Sequence, residues 1–206
     1  MLLSLLPSSS SYSTLKGCAL EMGELALQGK TAAKSKEGYS IATFAGGCFW
    51  GLELAYQRVP GVVATAVGYC QGQVEQPTYG AVCSGSTGHT EAVQVYYDPK
   101  ECPYENLLDT FFDRVNPTTV NGQGNDFGTQ YRTGVYVHSE EQMKLAKSRF
   151  EAEAPKFSKK IASELENVEV FWPAEDYHQQ YLEKGGRMGM GQSAEKGCKD
   201  TIRCYG

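Results

Sequence analysis

The apolar residues of the chain recur in short runs that switch between strand spacing and helix spacing. The stretch YSIATFAGG predicts a strand that ends in glycines. The stretch CFWGLELAYQRV follows it directly and places Leu52, Ala55 and Val59 at helical spacing, and Pro60 ends the pattern. We therefore expect a strand to lead into a helix at Cys48, with glycines at the junction.

The same alternation continues through the rest of the chain. VVATAVGY, EAVQVYYD, GVYVH and VEVFW predict strands, and YENLLDTFFDRV predicts a helix with an apolar face. SEEQMKLAKSRFEAEAPKF predicts a helix with Ser139 as its N-cap, and AEDYHQQYLEK predicts a last helix. Between them, NPTTVNGQGNDFGTQYRT is polar and glycine-rich, and a loop of that length inside a compact domain is usually functional.

Strands that alternate with helices predict an α/β (α+β) fold, here a two-layer sandwich with one mixed sheet and long irregular loops. We divide the chain into an N-terminal extension, residues 1–37, which we expect to be disordered, and a single domain, residues 38–206. From residue 185 onward the sequence is rich in glycine and short of large apolar residues. We expect residues 185–206 to form a mobile tail.

Composition and charge narrow the classes of function. Apolar residues at 41% and charged residues at 21% are typical of a folded globular protein. The net charge of -5 gives no electrostatic support for nucleic-acid binding. No apolar run approaches the roughly 18 residues that span a membrane. We expect neither a nucleic-acid partner nor a membrane association.

The cysteine count and the first residues bear on the compartment. Seven cysteines, an odd number, argue against a secreted disulfide scaffold and indicate a reducing compartment. The opening residues, MLLSLLPSSSSYSTLKG, are rich in serine and contain no acidic residue, which is also typical of plastid transit peptides. We favour a cytoplasmic location, with a plastid as the alternative if residues 1–36 act as a transit peptide.

Cys48 is the strongest candidate for a reactive group. At the start of a helix, a thiolate would face unpaired N–H groups and the positive end of the helix dipole, which lowers the pKa of a cysteine. Phe49 and Trp50 follow at once and could wall a pocket for a small apolar group. The alternative is a buried structural cysteine at the start of a core helix.

Other candidate residues lie in two glycine-containing stretches. Glu91, in CSGSTGHTEAV, would be a general acid if burial kept it protonated. Tyr131, in GNDFGTQYR with Asp126, and Tyr79, in PTYGAVCSG, could each donate a hydrogen bond to an oxygen that gains charge. Each of these residue types is also common in cores and on surfaces, so that interpretation stays open. The histidines show no paired metal-ligand spacing, so we expect no metal.

Two further cysteines, Cys198 and Cys204, lie in GCKDTIRCYG at the end of the chain. Their spacing matches no common zinc motif. Cysteines on a flexible arm suit a resolving role, in which a thiol attacks an oxidised cysteine elsewhere in the chain. The alternative is a pair of exposed bystander thiols.

Four motifs, in the order GGCFWG, GHTEAV, GNDFGTQYR and AEDYHQQYLEK, together resemble the peptide methionine sulfoxide reductase A family. The resemblance extends from about Ile41 to Lys184, and the ending KGCKDTIRCYG is similar to the tail of plant-type members. The chain departs from the pattern at Cys70, where a small residue such as serine is expected. It departs again at Thr90, where alanine is common.

The resemblance implies a ferredoxin-like core and an enzyme that reduces methionine S-sulfoxide, free or in proteins, through a cysteine sulfenic acid. The residues it implies are the nucleophile Cys48, the proton donor Glu91, the oxygen-binding Tyr79 and Tyr131, the loop residue Asp126, the methyl-binding Phe49 and Trp50, and the resolving Cys198 and Cys204. It implies no cofactor other than thioredoxin as reductant, and oxidised proteins or peptides as substrates for repair. We expect a monomer.

Three alternatives are open from the residues themselves. A thiol peroxidase would need a small polar pocket beside Cys48, whereas Phe49 and Trp50 favour an apolar substrate group. A Cys/His acyl-transfer enzyme would need a base for Cys48, and no histidine has a sequence context that marks it as one. A non-catalytic metal or redox module would bind zinc.

Overall fold

A six-stranded mixed sheet forms the centre of the protein. The computed structural model describes residues 21–204. In chain order the strands are β1 (Ser40–Gly46), β2 (Val62–Cys70), β3 (Thr90–Tyr97), β4 (Gly122–Gln123), β5 (Asp126–Phe127), β6 (Thr133–Val137), β7 (Glu164–Asn167) and β8 (Trp172–Pro173). The main sheet has the order β7-β6-β1-β3-β2-β8, and β4 and β5 pair separately. All neighbours in the main sheet are antiparallel except β6 and β7, which are parallel.

Helices connect and cover these strands. Residues 21–27 belong to a first helix, α1. The other α-helices are α2 (Phe49–Gln57), α3 (Tyr79–Cys83), α4 (Tyr104–Arg114) and α5 (Glu140–Glu153). Short 3-10 helices span Thr129–Tyr131, Ala154–Lys156, Asp176–His178 and Gly186–Met188. No helix in residues 21–204 is both long enough and apolar enough to cross a membrane.

The central unit has the chain order β1-α2-β2-β3-α4-β6, and its four strands lie in the order β6-β1-β3-β2. This is the split βαβ arrangement of ferredoxin-like folds. The strands and helices predicted around Cys48, in VVATAVGY, EAVQVYYD, YENLLDTFFDRV and GVYVH, are all present. The α+β fold with a mixed sheet is therefore confirmed.

Alternating side chains give the sheet two apolar faces, which pack against different parts of the chain. On β1, Ala42 and Phe44 contact the cluster that contains the buried side chains of α2 and α4. The ring of Phe44 stacks on Tyr56 with centroids 4.8 Å apart. On the opposite face, Ile41 and Ala45 belong to a second cluster. Because both faces are covered, every residue of β3 is buried.

The second face is covered partly by residues 21–36. Met22 is 2% exposed and packs in the second cluster. The backbone N–H of Lys36 donates to Glu21 Oε1 at 3.0 Å, and Ala32 O lies 2.6 Å from the ring Nδ1 of His138. Residues 21–36 are thus packed on the sheet, in place of the disorder that we expect for residues 1–37. Residues 1–20 of that extension, which include Cys18, lie outside the described residues.

The segment VEVFW, which we predict as a strand, mostly crosses the sheet instead. β7 ends at Asn167 on one edge, and β8 begins at Trp172 on the other edge. Between them Phe171 is buried in the second cluster, and Val168 packs against it. The apolar residues of this stretch therefore belong to a connection that crosses the sheet. Their spacing resembles that of a strand.

The stretch AEDYHQQYLEK forms only the 3-10 turn Asp176–His178, not the predicted helix. Gln180 has a positive φ of 51°. The side chain of Gln179 accepts a hydrogen bond from the N–H of Val67 and donates one to its carbonyl, both at 2.9 Å. These tertiary hydrogen bonds to β2 hold Gln179 in an extended conformation, with ψ of 129°, and override the local preference for a helix.

The predicted mobile tail makes many contacts in the structure. The backbone N–H of Gly197 donates to the carbonyl of Arg58 at 2.8 Å. The side chains of Arg58 and Lys196 bind further backbone groups across the same boundary. Residues 193–200 are therefore docked on the domain near the C-terminal end of α2.

Replacing Met22 with alanine tests whether α1 is packed on the sheet. Met22→Ala should lower the free energy of unfolding by about 2 kcal/mol or more, because it leaves a cavity in a packed face. Leu27→Ala is the control in the same helix, because Leu27 is 67% exposed. Its effect should stay below about 0.5 kcal/mol. Urea unfolding of the full chain measures both, and equal losses would contradict the packing of α1.

Candidate active site

Cys48 is the N-cap residue of α2, in the tight turn between β1 and that helix. Gly47 makes the turn possible, since it has a φ of +80° and a Cβ there would lie 2.6 Å from the Cβ of Gln123. The sequence GGC therefore has a structural cause. Its second glycine lets the backbone turn sharply while the loop residue Gln123 packs directly against it.

Glu91 lies beneath the start of α2, on β3. Its side chain is 1% exposed, and its Oε2 accepts the backbone N–H of Phe49 at 3.0 Å. Burial raises the pKa of Glu91 to about 8, the N–H of Phe49 lowers it, and the charge of Asp126 raises it further. At neutral pH this carboxyl group is therefore mostly protonated, next to the residue that follows Cys48.

The thiol of Cys204 has docked on Cys48. Their Sγ atoms lie 3.8 Å apart, within hydrogen-bonding distance for sulfur. This hydrogen bond, followed by burial and by the nearby Glu91, raises the pKa of Cys48 well above its ordinary value. The backbone N–H of Trp50 lowers it, but by less. With Cys204 docked, the pKa of Cys48 is therefore raised, whereas the helix dipole is expected to lower it.

The two tyrosines named from the sequence converge on a third thiol, Cys83. Both hydroxyls act on the Cys83 thiol, whose pKa burial raises and the two tyrosines lower. Burial raises the pKa of both tyrosines, and Glu91 adds to the effect in each. Both hydroxyls are therefore fully protonated donors near Glu91. Asp126 is close enough to act electrostatically on Tyr131, Glu91 and Cys204.

Phe49 and Trp50 form an aromatic wall beside Cys48. Phe49 is buried, and its ring lies 6.0 Å from that of Tyr69. Trp50 is partly exposed, stacks on Tyr181 with centroids 3.9 Å apart, and donates its indole N–H to His178 Nδ1 at 3.1 Å. The plane of the indole is thus fixed from two sides, which suits a rigid apolar wall.

Residues that the sequence does not single out support this wall. Glu175 accepts the hydroxyl of Tyr69 and the backbone N–H of Tyr79, both at 2.9 Å. The buried ring of His178 lies 4.4 Å from that of Tyr79 and 5.3 Å from that of Phe49. Only the motif AEDYHQQYLEK, taken as part of a family resemblance, points to this segment.

Of the two tail thiols, Cys204 is the one that contacts Cys48. Cys198 lies in a turn, half-buried, where its backbone N–H donates to the carbonyl of Glu195 at 3.0 Å. The structure therefore brings together Cys48, Glu91 and Cys204, and it places Cys198 on the same docked segment as Cys204.

The two departures from the family pattern, Cys70 and Thr90, are both buried in the sheet. Cys70 is fully buried on the second face of the sheet, where burial raises the pKa of its thiol. Thr90 is also buried, and its hydroxyl is within 3.2 Å of the carbonyls of Gln130 and Arg132. Thr90 thus ties β3 to the loop that carries Tyr131.

The histidines have structural partners. His89 Nε2 lies 2.7 Å from the carbonyl oxygen of Val74, and His138 Nε2 lies 2.8 Å from the hydroxyl of Thr43. Across residues 21–204, no three histidine, cysteine, aspartate or glutamate side chains are grouped as metal ligands.

Comparison with known sequences gives a consistent result. The family model described as "Peptide methionine sulfoxide reductase" matches residues 40–202. The Arabidopsis thaliana protein "Peptide methionine sulfoxide reductase A4, chloroplastic" is 55% identical over 179 residues, which cover 87% of this chain and 69% of that protein. "Peptide methionine sulfoxide reductase A3" of the same plant is 54% identical, with 87% and 89% covered.

Solved structures agree with the sequences. The reduced form of Mxr1 from Saccharomyces cerevisiae matches with a TM-score of 0.67 and 39% identity, over 76% of this chain and 91% of that one. Methionine sulfoxide reductase A of Corynebacterium diphtheriae matches with a TM-score of 0.68 and 33% identity, over 76% and 82%.

Replacing Gly47 with alanine tests the turn that presents Cys48. Gly47→Ala should lower the free energy of unfolding by about 1–3 kcal/mol, because its φ is left-handed and the added Cβ meets Gln123. Gly80→Ala is the matched control, since Gly80 lies in α3 with open space around it. The control should be neutral or slightly stabilising. Equal behaviour of the two variants in urea unfolding would contradict the argument.

Proposed function

The chain belongs to the peptide methionine sulfoxide reductase family and reduces methionine sulfoxide to methionine, and on that premise we propose which residues carry each step. The observation that carries the proposal is the buried Glu91 carboxyl, bonded to the N–H of Phe49 directly after Cys48. The protonated carboxyl group of Glu91 and the thiol of Cys48 therefore both lie at the start of α2. This pairing suits a reaction that protonates an oxygen while sulfur is attacked.

The substrate is held by its methyl group and its oxygen. Phe49 and Trp50 bind the S-methyl group, with sulfur–aromatic contacts worth about 0.3–1.5 kcal/mol. The hydroxyls of Tyr79 and Tyr131 turn from Cys83 to the sulfoxide oxygen and donate to it. Because methyl group, oxygen and line of attack are all fixed, the site selects one configuration at sulfur, and we propose the S epimer.

The first step transfers the oxygen to Cys48. Glu91 donates its proton to the sulfoxide oxygen as Cys48 Sγ attacks the sulfur, and the proton lost by the Cys48 thiol returns to Glu91. The protonated oxygen then moves to Cys48 Sγ, and its bond to the substrate sulfur and the new sulfur–sulfur bond both break, so methionine leaves and Cys48 becomes a sulfenic acid. The substrate sulfur is reduced by two electrons and Cys48 is oxidised by two.

The later steps restore the thiol. Cys204 attacks the sulfur of the Cys48 sulfenic acid, forms a disulfide and releases the oxygen as water. We assign this attack to Cys204 because its Sγ is 3.8 Å from that of Cys48. Cys198 then attacks Cys204 and frees Cys48, and a dithiol protein of the thioredoxin class reduces the Cys198–Cys204 disulfide.

The wider setting is part of the proposal. Thioredoxin is the reductant, oxidised proteins and peptides are the substrates, and the chain acts as a monomer without a metal or other cofactor. We place it in the cytoplasm. A plastid is the alternative, and the name of the chloroplastic relative from Arabidopsis thaliana supports that alternative.

The pH dependence of a single turnover tests Glu91. Methionine formation from the S epimer should fall above about pH 8, because Glu91 then loses the proton that it donates. Glu91→Gln has no such proton, so its rate should be about 10²–10⁴ lower and lack this falling limb. Rapid quench with the S epimer, on wild type and on Glu91→Gln, measures both.

Two negative controls complete that experiment. The R epimer and the variant Cys48→Ser should both give no methionine. A Glu91→Gln rate within a few-fold of wild type would remove Glu91 from the acid role. Consumption of hydrogen peroxide, with neither epimer reduced, would favour a thiol peroxidase.

The order of the tail thiols is tested by two serine variants. Cys204→Ser should release about one methionine per chain and then stall with thioredoxin, with Cys48 left as a sulfenic acid that dimedone traps. Cys198→Ser should still form the Cys48–Cys204 disulfide, which peptide mass mapping detects. The reverse pattern would assign the first attack to Cys198.

A further inference from the structure

The segment from Gln192 to Cys204, here called the tail loop, is tied at its base by one side chain. Gln192 Nε2 donates to the carbonyl oxygen of Arg203 at 2.6 Å, and Gln192 Oε1 accepts the N–H of Arg203 at 2.9 Å. The amide thus pairs with both polar groups of one residue, as a neighbouring strand would. Arg203 directly precedes Cys204, so this pair fixes the backbone that carries the thiol.

Gln192 is itself held in place by the domain. Its backbone N–H donates to the carbonyl of Leu182 at 2.9 Å, and the residue is 9% exposed. A buried amide that binds two backbone groups costs free energy if either partner is lost. The position of Arg203 is therefore coupled to a fixed point in the body of the protein.

Arg58 makes a second tie across the tail loop. Its Nε donates to the carbonyl of Ser193 at 2.8 Å, and its Nη1 donates to the carbonyl of Asp200 at 2.6 Å. Ser193 and Asp200 lie on opposite arms of the loop. Arg58 is the C-cap residue of α2, whose N-cap is Cys48. One helix thus carries the thiol at its start and holds the tail loop at its end.

Lys196 reaches in the opposite direction, from the tail loop into the body. Its Nζ donates to the carbonyls of Gln57 and Val62, both at 2.6 Å. These carbonyls belong to the last residue of α2 and the first residue of β2. Backbone groups on both sides of the boundary are therefore satisfied by long side chains from the other side.

We propose that Gln192 is a positioning residue for the resolving step, which holds the backbone of Arg203 so that Cys204 stays aligned on Cys48. The inference deepens the proposed function and rests on it, since it presupposes that Cys204 resolves Cys48. Gln192 touches neither sulfur and acts only through Arg203. Arg58 and Lys196 hold the rest of the tail loop in the same place.

The physical reason is effective concentration. A thiol on a flexible arm meets its target at an effective concentration of about millimolar, whereas well-oriented groups in one molecule react far faster. A fixed Cys204 captures the Cys48 sulfenic acid before a second oxidant converts it to the sulfinic acid. Loss of the Gln192 pair should therefore slow disulfide formation and leave oxygen transfer unchanged.

The test is the variant Gln192→Glu, which keeps the size of the side chain. Its carboxylate can accept the N–H of Arg203 but opposes the carbonyl of Arg203 with a second oxygen. Each variant is made in Cys198→Ser, where the Cys48–Cys204 disulfide cannot pass on to Cys198, and the reduced enzyme is mixed with excess S epimer and quenched at intervals. Methionine is counted, sulfenic acid is trapped with dimedone, and the Cys48–Cys204 disulfide is measured by mass spectrometry.

We expect the methionine burst to keep its wild-type rate. The Cys48–Cys204 disulfide should form about tenfold more slowly, because two hydrogen bonds are lost. The amount of trapped sulfenic acid should rise to match. Gln192→Ala should behave in the same way. Lys199→Ala is the control, since Lys199 is exposed in the same loop, and it should follow wild type in both measurements.

The outcomes separate the inference from the proposed function. Wild-type disulfide formation in both Gln192 variants, in a preparation where Cys204→Ser forms none, overturns the role of Gln192 alone. A disulfide on Cys48 that forms at the wild-type rate in Cys204→Ser overturns the resolving role of Cys204 and the inference with it. Slowing in Lys199→Ala to the same degree also overturns it, because the effect would not depend on the Gln192 pair.

Discussion

The site depends on the hydrogen bond between the backbone N–H of Phe49 and the carboxyl of Glu91. It joins the first turn of α2 to β3, so the helix that begins after Cys48 cannot shift without exposing or breaking a buried polar pair. The antiparallel pairing of β1 with β3 brings the two ends together, and Gly47 allows the turn between them. Glu91 and Cys48, the proposed acid and nucleophile, are thus placed by the core of the fold itself.

The C-terminal part of the chain is held by another means. It contains little regular structure, yet Gln179 pairs with both backbone groups of Val67, and Gln192 pairs with both backbone groups of Arg203. In each case a side-chain amide supplies the donor and the acceptor that a neighbouring strand would otherwise supply. An irregular segment can therefore be fixed without a helix or a sheet of its own.

This difference explains what the sequence could and could not predict. The strands around Cys48 and the helix after it follow from local periodicity, and the fold predicted from them is confirmed. The helix predicted in AEDYHQQYLEK is absent, because the Gln179 side chain pairs with Val67 of β2 and holds its backbone in an extended conformation. The docking of residues 193–200 depends on pairs distant in sequence, such as Arg58 with Asp200, for which composition gives no signal.

The pKa shifts of the site act together rather than one by one. The helix start alone would favour a Cys48 thiolate, but the hydrogen bond with Cys204, burial and the nearby Glu91 outweigh it. With Glu91 also mostly protonated at neutral pH, Cys48 and Glu91 both carry a proton before substrate enters. An uncharged acid and thiol suit a neutral sulfoxide, and a protonated thiol reacts slowly with stray oxidants. In the proposed mechanism, Glu91 passes its proton to the substrate oxygen and becomes the base that receives the proton of Cys48, so one carboxyl group would serve both transfers.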